Sequence, residues 1–134
     1  MKILPLIAVL CWTSMAQAET PAQMLAVYES EAARQMPGFQ ASGQRGGAFF
    51  TKQFKVSEKM PACTACHTEN PGKPGSHVVT GKAIQPLAPA ANVERLTDHT
   101  KVEKWFRRNC KEVVGRECAP AEKADFIAYL TGGR

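Results

Sequence analysis

The sequence predicts a small all-α domain. Several segments of the 134-residue chain place apolar residues at the spacing of helix faces, and no segment shows the alternating pattern of a strand. Near the middle of the chain stands Cys63-Thr64-Ala65-Cys66-His67, a C-x-x-C-H sequence that is typical of covalent haem attachment. We therefore expect helices wrapped around one covalently attached haem.

The spacing of this motif follows from the chemistry of attachment. Cys63 and Cys66 lie on one helical turn, so each thiol can add to a haem vinyl group, and His67 is then placed under the iron as proximal ligand. A redox dithiol is one alternative, but it usually lies in a βαβ pattern that is not visible here. A zinc site is another, since it needs about four nitrogen or sulfur ligands. The remaining candidates for such a site are Cys110, Cys118, His77 and His99.

Residues 1–18 are predicted to be a secretory signal peptide. Lys2 supplies the positive charge, residues 3–12 form an apolar core too short to span a bilayer, and Ala16-Gln17-Ala18 matches an A-x-A cleavage site. The mature domain is expected to cover residues 19–134, and no other segment is apolar enough to span a membrane. Bacteria attach c-type haem outside the cytoplasmic membrane, so the motif and the signal both predict the periplasm.

The first helix of the mature chain is predicted over residues 22–35. Thr20 is a suitable N-cap, and Pro21 suits the first helical position. The face expected to be buried contains Leu25, Tyr28 and Ala32.

A second helix is predicted over residues 43–54. Its Gly46-Gly47 pair costs helix stability, which suggests that another helix packs closely there. The side chains expected to face the core are Phe49, Phe50 and Phe54.

The second half of the chain is predicted to hold a long loop and two helices. Residues 70–91 are rich in proline and glycine and are expected to wrap over the haem edge. Asp98 is expected to cap a helix over residues 100–114. Pro120 is expected to open a last helix that ends at Gly132-Gly133. Its inward side chains would be Phe126, Ile127 and Leu130.

The ligand opposite His67 decides the function. No methionine follows His67, and Met60 is too close to the motif to reach around the ring. The second face of the iron must therefore meet His77, His99, another polar group or an open site.

Asn109 is a polar candidate on an apolar helix face. That face is a stripe at spacings of three and four, formed by Val102, Trp105, Phe106, Cys110 and Val113. A buried amide needs a partner, because leaving it unpaired costs about 1–3 kcal/mol. Iron is one possible partner of Asn109, and a backbone carbonyl or a helix end is the alternative.

Two cysteines lie outside the motif and the predicted signal. Cys110 and Cys118 are an even pair in an oxidising compartment and are interpreted as a disulfide closing a short loop. Free thiols and metal ligands are the alternatives.

The formal net charge of the chain is +5. A periplasmic protein has little access to nucleic acid, so the basic surface is expected either to guide an acidic redox partner or to serve solubility alone.

From Cys63 onward the chain resembles the sphaeroides haem protein family of oxygen-binding c-type cytochromes. The residues that carry the resemblance follow the haem motif as Thr80-Gly81-Lys82, Pro86-Leu87-Ala88-Pro89, Leu96-Thr97-Asp98, Val102-Glu103-Lys104-Trp105, Arg108-Asn109-Cys110, Gly115-Arg116-Glu117-Cys118 and Pro120-Ala121-Glu122-Lys123-Ala124-Asp125. The resemblance covers most of the mature chain and is weaker before the motif. It implies a small cytochrome c-like helical domain.

The resemblance also implies roles for single residues. Asn109 would be the distal iron ligand, although some apparent relatives have His at that position, and Cys110–Cys118 would be the bridge. His77 and His99 are left without a role. The expected haem pocket contains Trp105, Phe106, Ile84, Pro86 and Leu87. The electron partners of the family are dihaem cytochromes c and membrane b-type cytochromes.

The ligand chemistry of Asn109 predicts a gated site. Its amide oxygen is a hard, weak donor that suits ferric iron and holds ferrous iron poorly. Reduction should release Asn109, so that oxygen, nitric oxide or carbon monoxide can bind. On the other face, His67 is expected to donate its ring N–H to a backbone carbonyl, with that of Pro86 as the candidate.

Two other functions compete with this prediction. One is a plain electron carrier with His77 or His99 as a permanent second ligand. The other is an oxygen or nitric oxide reductase, although no second metal site or proton relay is visible in the sequence.

Overall fold

The computed structural model describes residues 18–132. The predicted signal peptide lies outside these residues except for Ala18. The elements, in chain order, are α1 (Pro21–Gln35), α2 (Gly43–Thr51), α3 (Thr64–His67), β1 (Gly75–Ser76), β2 (Ala83–Ile84), α4 (His99–Asn109), a π-helical turn (Cys110–Val114) and α5 (Pro120–Leu130). The all-α prediction is confirmed. No helix between residues 18 and 132 has the length and apolar character needed to cross a membrane.

Helix α1 begins where its capping residues predict. The Thr20 hydroxyl accepts a hydrogen bond from the backbone N–H of Gln23, and the Gln23 side chain accepts one from the Thr20 backbone. The helix packs against α5. Its fully buried side chains are Met24, Tyr28 and Ala32.

Helices α2 and α5 cross in close contact, as the glycine pair predicted. A Cβ atom at Gly46 would collide with the backbone carbonyl oxygen of Asp125, so no larger residue fits at this crossing. Phe50 is fully buried, with its ring centroid 5.6 Å from that of Tyr129. The tight crossing therefore anchors the aromatic core.

Helix α2 is shorter than predicted. It ends at Thr51 rather than at Phe54, because Lys52 has the extended backbone of a C-cap residue. Phe54 is half-buried instead and packs edge-on against Phe49, with centroids 5.3 Å apart.

The loop of residues 70–91 contains a short antiparallel hairpin that the sequence did not predict. Gly75 pairs with Ile84, and Ser76 pairs with Ala83. Two residues per strand are too few to show an alternating pattern, which explains why pattern analysis missed this pairing.

The predicted helix over residues 100–114 is present but changes type. Asp98 caps it as predicted, accepting a hydrogen bond from the backbone N–H of Lys101. The α-helical part ends at Asn109, and residues 110–114 form the π turn. Such π turns are rare and often lie at functional sites.

Candidate functional site

The C-x-x-C-H motif forms one tight turn. The Cys63 carbonyl accepts hydrogen bonds from the backbone N–H groups of Cys66 at 3.3 Å and His67 at 3.1 Å. Thr68 then takes a left-handed φ of 61°, which ends the turn directly after His67. Both thiols and the imidazole are therefore carried by one short segment, as predicted from the spacing.

The donor chemistry of this turn suits a covalently held haem. Burial and, to a smaller extent, the positive charge of Arg95 together lower the pKa of His67 to about 4. The imidazole is therefore neutral at physiological pH, which is the form that binds iron. Burial also raises the pKa of the Cys63 thiol to about 11. Neither Cys63 nor Cys66 is used in a disulfide, so both remain free for thioether formation.

The β1–β2 hairpin packs directly on the motif. A Cβ atom at Gly75 would collide with the carbonyl oxygen of Cys66, so only glycine allows this approach. The backbone N–H of Val78 lies 3.4 Å from the Cys66 sulfur. Sequence reasoning missed Gly75, and only the general richness of the loop in glycine and proline pointed to it.

The predicted pocket residues of the loop are anchored next to the motif. The backbone N–H groups of Leu87 and Ala88 donate to the carbonyl of Pro71, at 2.8 and 3.0 Å. These bonds bring Pro86 and Leu87 close to the segment that leaves the motif. Ile84 lies in β2 and is half-buried.

The carbonyl of Pro86 has different donors from the one predicted. It accepts from the Arg95 Nε at 2.8 Å and from the Asn92 Nδ2 at 3.4 Å. No hydrogen bond joins it to His67 in the described part of the chain. Arg95 was not identified from the sequence, because a single arginine in a polar loop carries no signal of its contacts.

Asn109 occupies the junction between α4 and the π turn. It is partly buried, and no protein group between residues 18 and 132 forms a hydrogen bond with its side-chain amide. The next residue, Cys110, forms a disulfide with Cys118, with Cα atoms 5.7 Å apart. Gly115, at φ +80°, closes the π turn by donating to the Cys110 carbonyl at 3.0 Å. The position of Asn109 is thus held by a covalent bridge and a turn.

The neighbours Trp105 and Phe106 face different surroundings. Trp105 is 45% exposed, and the Arg108 guanidinium lies 5.7 Å from its ring centroid. Phe106 packs on the core, edge-on to Tyr28 at 5.5 Å and to Phe126 at 5.9 Å. Trp105, one helical turn before Asn109, thus lies on the open side of α4, and Phe106 supports that helix from within.

The two other histidines have different surroundings. His99 opens α4, about 15 Å along the helix axis from Asn109. Its ring stacks on Tyr28 with centroids 5.5 Å apart, and its buried Nε2 has no hydrogen-bond partner among residues 18–132. The Nδ1 of His77 accepts hydrogen bonds from the backbone N–H groups of Val79 and Thr80 in the hairpin turn.

The described residues contain no set of side chains that could bind zinc. No three His, Cys, Asp or Glu side chains cluster there in a way that could hold a metal ion. Cys110 and Cys118 are bonded to each other, which removes two of the candidates.

Comparison with known proteins gives one family and two relatives. Residues 37–130 match the family described as a domain of unknown function, DUF1924. The cytochrome c-type protein SHP of Cereibacter sphaeroides is 43% identical over 130 residues, 96% of each chain. Cytochrome c'' of Methylophilus methylotrophus is 51% identical over 86 residues, 63% of this chain and 60% of that protein.

Solved structures of the same two relatives share the fold. Oxidised SHP, described as an oxygen-binding cytochrome c, matches with a TM-score of 0.77 over 86% of this chain and 98% of that chain, at 43% identity. A solution structure of cytochrome c'' from Methylophilus methylotrophus, concerned with haem-ligand detachment, matches with a TM-score of 0.73 at 43% identity. It covers 82% of this chain and 90% of that chain.

The family model spans most of this chain, and SHP is matched over almost its whole length. The chain therefore belongs to the DUF1924 family and to the sphaeroides haem protein family of c-type cytochromes.

Proposed function

We propose that the protein is a periplasmic electron carrier whose reduced form binds a diatomic gas. Its cofactor is one haem c, with Cys63 and Cys66 as the thioether residues and His67 as the proximal ligand. The haem supplies an iron that takes up and releases one electron and can bind a gas. The partly buried, neutral imidazole of His67 supports this assignment.

The observation that carries the proposal is the free amide of Asn109. The side chain is partly buried, lacks a protein hydrogen bond in the described residues, and sits where α4 passes into the π turn. No protein group in the described residues uses this amide, so it is available to a ligand partner. We assign Asn109 as the distal ligand in the ferric state.

The proposed release of Asn109 follows from the weak donor strength of its amide oxygen. A neutral amide oxygen is a hard donor and binds ferrous iron weakly, so reduction releases Asn109 and leaves a face open to oxygen, nitric oxide or carbon monoxide. The released amide can still donate a hydrogen bond to the gas. SHP is described as oxygen-binding and cytochrome c'' is described in terms of haem-ligand detachment, and both descriptions support the same behaviour here.

The compartment and partners complete the proposal. The disulfide between Cys110 and Cys118 and the sequence of residues 1–18 both favour export to the periplasm. Dihaem cytochromes c and membrane b-type cytochromes are the proposed electron partners.

Visible spectra of wild type, Asn109→Ala and Asn109→His test whether Asn109 leaves the iron on reduction. We expect wild type to be low-spin when ferric, high-spin when ferrous, and to bind carbon monoxide at once. Asn109→Ala should be high-spin in both states, because its distal ligand is missing. Asn109→His should stay low-spin when reduced and bind carbon monoxide at least tenfold more slowly, because imidazole holds ferrous iron better than an amide does.

Gln53→Ala is a matched control, because it removes an exposed side-chain amide outside the site. Its spectra should equal those of wild type. If ferrous wild type is low-spin and indifferent to carbon monoxide, the ligand is permanent and the gas-binding proposal is wrong. Steady turnover of oxygen or nitric oxide with an electron donor would instead indicate a reductase.

A further inference from the structure

Helix α4 separates its charges between two sides. Glu103 is the only acidic residue among the 11 residues of this helix, and its carboxylate is turned inward, where it accepts hydrogen bonds from Tyr28 and Lys123. The basic side chains of the helix are exposed instead. Together with the first lysine of the π turn they form what we call the basic face of α4, which consists of Lys101, Lys104, Arg107, Arg108 and Lys111.

The spacing of these residues places them on one side of the helix. Lys101, Lys104 and Arg108 are three and four positions apart, so they follow one another along a single stripe. Arg107 and Lys111 are four positions apart and form a second stripe beside the first. Trp105 lies four positions before Asn109 and therefore shares the side of α4 that carries Asn109, not the basic face.

Acidic neighbours offset only part of this charge. Three of the five cations have a partner at the surface, in the pairs Lys101–Asp98 at 3.5 Å, Arg108–Glu112 at 3.1 Å and Lys111–Glu117 at 3.6 Å. Pairs near the surface are weak because water and salt screen them, so other anions can compete for these cations. Lys104 and Arg107, in the middle of the face, form no ion pair within residues 18–132.

We propose that the basic face of α4 binds the surface of a membrane rich in anionic phospholipids. The protein is then attached peripherally, with α4 against the lipid headgroups. Each Lys or Arg held near such a surface strengthens binding about fivefold, and the attraction fades within a Debye length. Several cations side by side on one exposed helix face can therefore hold the molecule at the membrane without any inserted segment.

The composition of the basic face favours lipid headgroups over an acidic protein. The centre of a protein interface is depleted in charged residues and enriched in aromatic ones. The centre of this face is instead formed by Lys104 and Arg107, both charged and exposed. A layer of anionic headgroups attracts Lys and Arg without an apolar centre, so it fits this surface better.

This inference goes beyond the proposed function, because no residue of the basic face is assigned to the iron. It also gives the molecule an orientation. Membrane binding through α4 places the helix that carries Asn109 next to the bilayer, where membrane b-type cytochromes, proposed above as electron partners, are located.

Sedimentation of the purified protein with lipid vesicles tests the proposal. One set of vesicles contains equal amounts of phosphatidylglycerol and phosphatidylcholine, and the other contains phosphatidylcholine alone. We expect binding to the mixed vesicles only. Binding should weaken as added salt shortens the Debye length below its value of about 10 Å at 0.1 M.

Charge variants locate the contact. Lys104→Gln/Arg107→Gln should lower the partition coefficient onto the mixed vesicles about 25-fold, at about fivefold for each charge. Lys104→Arg/Arg107→Lys keeps both charges and should bind as wild type does. Lys73→Gln/Lys82→Gln is the matched control, because it removes two exposed charges beside the hairpin that packs on the motif turn. Its partition coefficient should fall far less.

Three results would overturn the proposal. The first is equal binding to both kinds of vesicle, or no binding to the mixed ones. The second is an equal loss in the two glutamine double variants, which would show that net charge rather than the basic face of α4 determines binding. The third is binding to soluble poly-L-glutamate without binding to the mixed vesicles, which would assign the face to an acidic protein. A thermal midpoint for Lys104→Gln/Arg107→Gln equal to that of wild type excludes unfolding as the cause of its loss.

Discussion

Glu103 links three parts of the molecule through one carboxylate. It accepts a hydrogen bond from the Tyr28 hydroxyl at 2.9 Å and two from the Lys123 ammonium at 2.7 and 2.9 Å. The same ammonium lies 5.6 Å from the ring centroids of Tyr28 and Phe106. One residue from each of α1, α4 and α5 therefore meets at this carboxylate, on the core side of the helix that carries Asn109.

The protonation of this network favours the folded state at neutral pH. Burial alone would raise the pKa of Glu103, but the hydrogen bonds from Lys123 and Tyr28 outweigh it and hold the pKa below its ordinary value. Burial, followed by the hydrogen bond to Glu103, raises the pKa of Tyr28, so its hydroxyl stays a donor. The resulting stabilisation is complete above the ordinary carboxyl pKa and is lost as the pH falls through the lower folded value.

We predict that Glu103→Gln lowers the free energy of unfolding by about 1.5–3 kcal/mol, because it weakens hydrogen bonds to a charged, largely buried Lys123. Guanidinium titrations at neutral pH measure this cost. The difference from wild type should begin to shrink below about pH 4, where the carboxyl group of the unfolded chain takes up a proton, and should disappear once the pH falls through the lower pKa of folded Glu103.

Glu112→Gln is the control for this change. Glu112 forms a single exposed ion pair with Arg108, so its loss should cost less than about 1 kcal/mol. Equal costs for the two variants would contradict a special role for the Glu103 network.

At the scale of elements, the crossing of α2 and α5 depends on one missing side chain. A Cβ atom at Gly46 would overlap the Asp125 carbonyl oxygen and lie 2.8 Å from the Tyr129 Cβ. Both obstacles belong to the body of α5 and cannot rotate away. Arg45 reinforces the same crossing with two 2.7 Å bonds to the Asp125 carboxylate.

Gly46→Ala should therefore destabilise the protein by about 1–3 kcal/mol or prevent its folding, because the helices must separate. The midpoint of thermal unfolding measures the effect. Gly47→Ala makes the same change one residue later, where the new Cβ would meet only the Tyr129 ring at 3.1 Å. That ring can shift, and the gain in helix propensity offsets part of the strain, so Gly47→Ala should cost clearly less. A larger loss for Gly47→Ala would contradict this account of the crossing.

The end of α4 shows where element prediction from sequence stops. The apolar stripe correctly predicted a continuous helical segment up to Val114, but its last turn is π-helical. The hydrogen bonds of a π turn span one more residue than those of an α turn. The side-chain periodicity of a five-residue segment is too short to reveal that difference. The disulfide to Cys118 and the left-handed Gly115 close this turn.

At the scale of the whole molecule, the apolar core is small. The largest fully buried side chains are Tyr28, Phe50, Met24 and Ile127, and they lie on α1, α2 and α5. The C-x-x-C-H turn and the loop after it contribute little to this cluster. Small domains of this kind need additional staples, and a covalently held haem is one.

Loss of covalent haem attachment should therefore disturb the C-x-x-C-H turn and the loop after it more than the crossing of α2 and α5. We predict that Cys63→Ala/Cys66→Ala lowers the thermal midpoint and the cooperativity of unfolding, as followed by circular dichroism. Cys110→Ser/Cys118→Ser also removes two cysteines but leaves Cys63 and Cys66 in place, and it should lose about 2–4 kcal/mol while unfolding cooperatively. Unchanged unfolding of the Cys63→Ala/Cys66→Ala protein would contradict the role of the haem as a staple.

Predictability from the sequence varied with the range of each interaction. The caps at Thr20 and Asp98, the close packing at Gly46 and the tight motif turn were all predicted, because each depends on residues a few positions apart or on a steric rule for glycine. The approach of Gly75 to the Cys66 carbonyl and the hydrogen bond from Arg95 to the Pro86 carbonyl were not predicted. Each joins residues nine positions apart across an irregular loop, where residue type and spacing carry no signal of the contact.

The sequence by itself determined the chemistry of this protein: two thiols and an imidazole on one turn, an all-helical chain around them, and Asn109 on an apolar face. Local spacing suffices for these features, because covalent geometry and helix periodicity act over a few residues. Only the tertiary structure decided which donors reach Pro86, how Glu103 joins three helices, and that Asn109 ends its helix at a π turn. Those features depend on long-range packing, in which each contact is selected by the positions of all the others.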